Sequence, residues 1–406
     1  MTDEDPPQTI LRVPGVEEPL TLRGGPSERS LLELIAATDG RYERGVMRLL
    51  GRLLRPGDVV LDAGAHIGII SMAIASAVPG VRVHAMEAFP GTADRLEANL
   101  AANGLADRVT VHRAGIAPVS GPLRFASNAG FSAGAHAGAD GDVEVPGVTL
   151  DDWADAAGID RLDLLKADVE GSELALLEGG SRTIARLRPA IVMEVNPAAL
   201  RRVDGRGPRE LWRLLTRHHP FVNWIGRGGA LLPLRGEDDL MARLRRHGIG
   251  DVLCTAAPPP RGDLRAAVGR LLEHRPHRGH EYAVEAPLRL RAISKPPTRM
   301  RAGARELLPV EVGNGTGSRL SADGPYPVRA AARWWDASGA QVTEGARAEL
   351  RTPLAPGESR RLAVELSAPG TPGEYSVAIA LVQEHFAWLD DLGPESAVRF
   401  PVTVTA

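Results

Sequence analysis

Four short stretches of the 406-residue chain hold residues whose types and spacing could do chemistry. The first is Asp62-x-Gly64-x-His66-x-Gly68, inside VVLDAGAHIG. The second is Glu87, at the end of the next apolar run, VRVHAMEA. The third is Lys166-x-Asp168-x-Glu170, followed by Glu173, in LDLLKADVEGSELALLEGG. The fourth is Glu194-x-Asn196 in PAIVMEVNP.

A strand that breaks into a glycine turn and opens a helix aims backbone N–H groups and the positive helix end at the carboxyl edge of a sheet, where ligands bind in open α/β folds. Gly64 and Gly68 let the backbone approach such a ligand closely. An acid at the end of the second strand, here Glu87, can accept both ribose hydroxyls of an adenosine ligand. The loop is not Gly-x-Gly-x-x-Gly, and Asp62 ahead of the first glycine would repel a pyrophosphate. It suits S-adenosylmethionine, which carries an ammonium and a sulfonium. Methyl transfer from a sulfonium to a hydroxyl is an in-line displacement that needs a base or a metal at neutral pH. Asp168 follows a buried strand and enters the crevice, making it the first choice of base, with Glu170 second. Glu170 and Glu173 are read into the first turn of the following helix, where acids favour the dipole, and for Glu173 helix-start stabilisation suffices. Lys166 either pairs with an acid or contacts the substrate. Asp168, Glu194 and Asn196 are oxygen ligands on neighbouring strand ends. The primary reading has no metal, and Mg2+ held by these three is the alternative. His66, His84, His112 and His136 read as scattered, with only His66 and His136 near the crevice. Trp153 reads as a packing anchor.

These groups need a scaffold that brings strand ends together. Apolar runs without polar alternation (VVLDAG, VRVHAMEA, RVTVHRAGIA, LDLLKAD, PAIVMEVN, FVNWIG, DVLCTA) alternate with amphipathic stretches such as PGTADRLEANLAANG. Runs of that kind are strands buried on both faces. The expected fold class is therefore α/β, with a doubly wound, mostly parallel seven-stranded sheet over residues 59–257. Residues 1–58 are expected to add a hairpin and two helices packed on that domain. The Gly/Ala-rich segment between VRVHAMEA–RVTVHRAGIA and LDLLKAD, with strand pieces PLRF and VEVPGV, reads as a lid over the substrate. Residues 258–286 read as a linker with one helix. Residues 287–406 hold about seven short β-like runs in roughly 120 residues, the pattern of an all-β sandwich. There Trp334 and Trp335 are adjacent and must point to opposite faces of a strand. With Phe386 and Trp388 they offer either core filling or a sugar-stacking surface, and core filling is the stronger reading.

Composition bounds the rest. Hydrophobic residues are 43% and charged residues 24%, with net charge −3, which gives no argument for nucleic acid. A single cysteine, Cys254, excludes an intrachain disulfide framework. The acidic start MTDEDPPQTI does not read as a secretory signal, and no run is long and apolar enough to span a membrane. The expected location is cytoplasmic, with no nucleic-acid partner.

The ordered series RPGDVVLDAGAHIG, AMEAFP, NAGFS, VTLDDW, LLKADVEGSELALLEGG and RPAIVMEVNP resembles the FkbM-type family of S-adenosylmethionine-dependent methyltransferases, over roughly residues 40–257. His66 stands where that family usually has Asn. The resemblance implies a class I, Rossmann-like methyltransferase fold and O-methylation of a small hydroxylated acceptor, such as a sugar or a secondary metabolite. The cofactor-binding set is Asp62, Gly64, Ala65, His66, Gly68, Glu87, Ala88 and Asp168. Asp168, Glu170, Lys166 and His66 form the catalytic set. Asn128, Ser132, His136, Glu194 and Asn196 form the substrate set. The C-terminal part looks like an immunoglobulin-like module that assists recognition or assembly, through an oligomer or a protein contact. Two rivals stand beside this reading: a nicotinamide-dependent oxidoreductase, against which the loop form counts, and a carbohydrate-binding or scaffold protein with a vestigial cofactor domain.

Overall fold

The computed structural model describes residues 7–125, 143–259, 281–285, 288–323, 326–384 and 387–406. The chain divides into two compact units. The described residues of 7–196, 208–240 and 250–259 form the first, and 197–207, 241–249 and those from 281 onward form the second.

The first unit opens with an antiparallel hairpin, β1 (Gln8–Leu11) and β2 (Leu20–Arg23), then α1 (Arg29–Ala37) and α2 (Arg44–Leu53). Strands and helices then alternate: β3 (Val59–Ala63), α3 (Ile69–Ala77), β4 (Arg82–Met86), α4 (Pro90–Ala102), β5 (Val109–His112). A small sheet follows, of β6 (Gly115–Ile116), β7 (Gly121–Phe125) and β8 (Val143–Val148). The alternation resumes with α5 (Leu150–Ala156), β9 (Leu164–Ala167), α6 (Glu173–Gly179), α7 (Ser181–Leu187) and β10 (Ala190–Val195). The chain then passes through α8 (Pro197–Asp204), which belongs to the second unit, and returns with α9 (Pro208–Leu215), β11 (Phe221–Gly226), β12 (Ala230–Leu234), α10 (Glu237–His247), whose residues from Met241 on belong to the second unit, and β13 (Gly250–Thr255).

The main sheet has eight strands in the order β12-β11-β13-β10-β9-β3-β4-β5. From β10 to β5 the pairs are parallel, and β13, β11 and β12 are antiparallel. The sheet is thus mixed and one strand larger than expected. The extra strand is ALLPL, which is not among the seven expected runs; its proline sits on the edge strand, where a missing N–H is tolerated. RVTVHRAGIA is not one strand. It turns after His112, and β6 leaves for the small sheet. Strands β3 and β9 are buried at every residue, as their unbroken apolar runs require.

One polar stripe ties the N-terminal segment to the sheet. Arg95, Asn99 and Asn103 recur at four-residue spacing from α4 to its C-cap and so share one face. Asn99 is fully buried. Its oxygen accepts the Arg23 N–H (2.9 Å), and its Nδ2 donates to the Arg23 and Ile67 carbonyls (both 2.9 Å). Asn103 makes the same two-way contact with Thr21 (2.8 Å each way). Arg95 binds buried Glu28 (2.9 Å). Buried amides and a buried carboxylate need such partners, so the hairpin and the glycine loop are held by a common strut.

The second unit contains two sheets. One is β14 (Leu288–Ala292), β16 (Arg305–Asn314) and β20 (Ser359–Ser367). The other runs β15 (Arg299–Arg301), β23 (Ala397–Thr405), β21 (Gly373–Gln383), β17 (Val328–Trp335), β18 (Gln341–Glu344), with β19 (Ala348–Glu349) on β17 and β22 (Ala387–Trp388) on β21. Alternate residues of both sheets, among them Leu290, Val310, Val364, Ala332 and Ile379, share one core with Trp334. Trp335 lies on the opposite face, where the Arg333 guanidinium stacks between it (5.1 Å) and Trp388 (3.9 Å) while bonding both oxygens of Asp390. These indole faces are occupied by a cation of the same chain. Phe386 lies outside the described residues, as does the helix expected near 264–277. Among the described residues no helix is long and apolar enough to cross a membrane.

Candidate active site

The glycine loop is a set of left-handed backbone positions. Gly64 (φ 79°), His66 (φ 50°) and Gly68 (φ 94°) follow β3 in alternation, and Gly68 caps α3. Gly64 and Ala65 both donate to the Met86 carbonyl (3.0 Å each), which fastens the loop to β4. A Cβ on Gly64 would run into the carbonyl oxygen of Asp168, so only glycine fits there. Glu87, just past β4, accepts the His66 N–H on Oε2 and the Phe89 N–H on Oε1 (both 2.9 Å). It therefore shapes the loop as well as presenting a carboxylate. Burial raises its pKa, and the backbone donors work against that rise.

Strand register explains how the acids meet. Asp62 pairs with Lys166 across β3 and β9, Lys166 with Val192 across β9 and β10, and Val192 with Leu253 across β10 and β13. Register partners project to the same face of a sheet, and so do residues two further along each strand. Two residues toward the carboxyl edge the row reads Gly64, Asp168, Glu194, Asp251. Asp168 continues the ladder past β9 through its N–H to the Ala63 carbonyl (3.0 Å), and Glu194 is the cross-strand partner of Asp251.

Lys166 stands inside this acid row. Lys166 is 3% exposed and its ammonium lies 3.0 Å from Asp168 Oδ2. Burial works against its charge, yet Asp168, Asp62 and Glu43 outweigh burial and hold the ammonium well above its ordinary pKa. Glu43, the left-handed N-cap of α2 (φ 42°), makes no capping bond with its side chain and faces Lys166 instead. Burial raises the pKa of Glu43 and of neighbouring Tyr42, to which it is hydrogen-bonded. Burial, then Asp168 and Asp251, pushes Glu194 well up, and burial followed by Glu43 pushes Asp251 to about 7. Asp62 is 1% exposed. Its Oδ2 accepts the Ser71 hydroxyl (2.7 Å) and its Oδ1 has no hydrogen-bond partner.

Two adjoining cavities open on these groups. The larger, about 240 Å³, runs from Met86, Glu87, Ala88 and Phe89 past Ala114–Ile116 to His66, Asp168, Val169, Glu170 and Ser172, under Leu31 and Tyr42. The smaller, about 70 Å³, is lined by Tyr42, Glu43, Asp62, Ala65, His66, Lys166 and Asp168. Of the expected residues, Asp62, Gly64, Ala65, His66, Glu87, Ala88, Lys166, Asp168 and Glu170 thus line one cavity or the other. Gly68 stands behind the loop as the helix cap. Glu194 lies in the acid row and Asn196 just beyond β10, and neither lines either cavity. Asn128, Ser132 and His136, and with them most of the expected lid, lie outside the described residues. Among the described residues no group of three or more His, Cys, Asp or Glu could hold a metal ion.

Two readings need correction. Glu170 is not in a helix. Helix α6 starts at Glu173, and Glu170 (φ 51°) and Gly171 (φ 104°) form a left-handed turn before it. His84 and His112 are not scattered. They sit on adjacent strands with Nδ1 and Nε2 3.0 Å apart, edge-on to Trp153 at 5.4 and 5.5 Å. Burial first, then repulsion from His112, lowers His84 to about 4, and burial lowers His112 as well. Reading the sequence missed Tyr42, Glu43 and Asp251. Asp251 opens an antiparallel strand, so its N-terminal end lies at the carboxyl edge, and only strand direction reveals that. The Tyr42-Glu43 dipeptide directly before α2 was the available signal for the other two.

A glycine loop after β3, an acid after β4 and a cavity at the carboxyl edge make up the ligand-binding edge of an open α/β fold. Residues 62–221 match the family model described as the methyltransferase FkbM domain, and the chain carries an S-adenosylmethionine-dependent methyltransferase domain. Similar proteins include the hexuronic acid methyltransferase AglP of Haloferax volcanii, 25% identical over 46% of this chain and 74% of AglP. They also include the 31-O-demethyl-FK506 methyltransferase FkbM of Streptomyces tacrolimicus, 31% identical over 31% of this chain and 60% of that protein. The chain spans 65% of a further relative, the 2-O-methyltransferase NoeI of Sinorhizobium fredii, at 25% identity. A solved methyltransferase FkbM from Methylobacillus flagellatus KT aligns over 43% of this chain and 45% of its own, at 20% identity and a TM-score of 0.28.

Proposed function

We propose that this protein transfers the methyl group of S-adenosylmethionine to a hydroxyl of a small acceptor, a sugar or a secondary metabolite. The observation that carries the reading is Asp62, a fully buried carboxylate with one oxygen unpartnered, opening on a cavity beneath a loop in which Gly64 can be no other residue. An unpaired buried acceptor calls for a cationic or N–H donor, and the ammonium of the cofactor's amino-acid end is such a group. Glu87 keeps lone pairs for ribose hydroxyls, and Met86, Ala88, Phe89 and Ile116 offer an apolar wall for a base. The cofactor supplies an electrophilic methyl on a sulfonium.

The chain's own residues would receive the proton. Asp168 lines both cavities and gives one oxygen to Lys166, leaving the other for an acceptor hydroxyl. Glu170 lines the same wall. The names of AglP, NoeI and FkbM support an oxygen acceptor, since two of them specify O-methylation and one a hexuronic acid.

Calorimetry with S-adenosylhomocysteine, followed by transfer of a labelled methyl to a panel of neutral sugars, uronic acids and polyketides, tests this. Binding together with transfer to a hydroxyl is the expected result. Absence of binding with intact fold, or binding of NAD in its place, would overturn it.

A further inference from the structure

We propose that Glu173 is a positioning residue that clamps the turn carrying Asp168 and Glu170, and so sets the side-chain geometry of the site without entering it. The inference rests on the methyl-transfer reading only for what the turn is used for, and the clamp itself stands on contacts.

Glu173 is the first residue of α6, where an acid ordinarily serves the helix dipole from solvent. Here it is 1% exposed. Its Oε1 accepts two backbone N–H groups of the preceding turn, Val169 (3.2 Å) and Gly171 (3.3 Å), and its Oε2 has no hydrogen-bond partner. Dipole stabilisation does not require burial, and burying a half-satisfied carboxylate costs free energy. What the burial secures is the turn. Glu170 and Gly171 are consecutive left-handed residues, and for a glutamate that conformation persists only where the surroundings over-determine it. Asp168 is fixed from the other side, by its N–H to Ala63 and by its carbonyl against Gly64. The Ser172 N–H closes the turn on the Val169 carbonyl (3.1 Å). Asp168, Val169, Glu170 and Ser172 all line the larger cavity, and Glu173 does not. The segment is therefore pinned at its start by β3 and in its middle by a carboxylate that never reaches the acceptor.

The chain has two lysines, Lys166 and Lys295, which supplies a probe independent of any acceptor. In protein labelled with ¹⁵N at the lysine ammonium groups, the Lys166 signal reports its pairing with Asp168, and Lys295 is the internal control. Glu173→Ala is expected to move the Lys166 signal and leave Lys295 in place. It should also speed amide exchange of Val169 and Gly171 by about tenfold, the effect of losing one buried hydrogen bond. Glu173→Gln, which keeps an acceptor oxygen and the side-chain shape, should restore both. On any hydroxyl acceptor the labelled-methyl panel identifies, Glu173→Ala should lower kcat by about 10- to 100-fold with KM and S-adenosylhomocysteine affinity little changed. An unmoved Lys166 signal with unchanged exchange in a folded Glu173→Ala protein overturns the clamp. Equal disturbance in Ala and Gln variants, tracking their loss of thermal stability, reduces Glu173 to a packing residue and overturns it too. If the clamp signatures appear and no acceptor is ever methylated, the methyl-transfer reading fails and the clamp stands.

Discussion

Glu194 and Asp251 face each other directly across the antiparallel pair β10 and β13, two acids on one face with Asp168 on the next strand. Like charges placed so are destabilising, and the fold keeps them at the edge where its cavities open. Antiparallel β13 runs into the sheet from the carboxyl edge, so Asp251, near its start, completes a row whose other members come from strand ends.

The row makes stability depend on pH. Asp251 is raised from 3.8 to about 7 in the folded protein, with burial first and Glu43 next among the causes, Lys166 opposing and Asp168 adding. A raised acid favours the protonated folded state. Its contribution is fully present below pH 3.8, falls steadily as pH rises from there, and is gone above about 7. Asp251→Asn should remove that loss, leaving stability at pH 3 nearly unchanged and raising it at pH 8.5 by about 3–4 kcal/mol relative to the parent, from roughly 1.4 kcal/mol per unit. Thermal unfolding at the two pH values checks this, and a parallel shift at both would refute it.

Gly64→Ala should be more damaging than a loop substitution ordinarily is. The new Cβ meets the Asp168 carbonyl oxygen, at a backbone conformation (φ 79°) that alanine rarely adopts. A loss of about 3 kcal/mol or more is expected, with S-adenosylhomocysteine binding abolished. Urea denaturation and calorimetry measure the two effects, and retention of both would show that β3 and β9 can part without cost.

Glu87→Ala has two consequences. It leaves the His66 and Phe89 N–H groups without their acceptor, so stability should fall by about 1–3 kcal/mol even without cofactor. Affinity for S-adenosylhomocysteine should fall by about 1.5–3 kcal/mol as the ribose acceptor is lost. The glutamine variant keeps one acceptor oxygen and should recover most of the stability and less of the affinity. Unaltered affinity in the alanine variant would remove Glu87 from the cofactor site.

Asp168→Asn keeps shape and removes proton acceptance, and Glu170→Gln does the same one turn position on. If either is the general base, turnover on a true acceptor should fall by about 10²–10⁴-fold with cofactor affinity little changed. Asp168→Asn should also release the Lys166 ammonium from its 3.0 Å partner. Near-parental turnover in both variants would turn attention to His66, which lines both cavities and whose pKa burial holds below its ordinary value.

Much of this protein was legible in residue order. Unbroken apolar runs made β3, β9 and β10 interior strands, because a residue buried on either face of a covered sheet must be apolar. That Asp62, Gly64, Glu87, Lys166 and Asp168 would gather at one edge was legible because strand ends in an alternating α/β chain converge there whatever the loops do. Direction, register and backbone sign were not legible. Whether DVLCTA runs with its neighbours or against them depends on partners distant in sequence, and that alone places Asp251 beside Glu194. Glu170 in a left-handed turn and Glu173 folded back onto it depend on β3 and Gly64 pressing on Asp168, a contact no local propensity encodes. Local sequence sets what each segment prefers. Which charges must share one buried space is decided only when the strands are laid side by side.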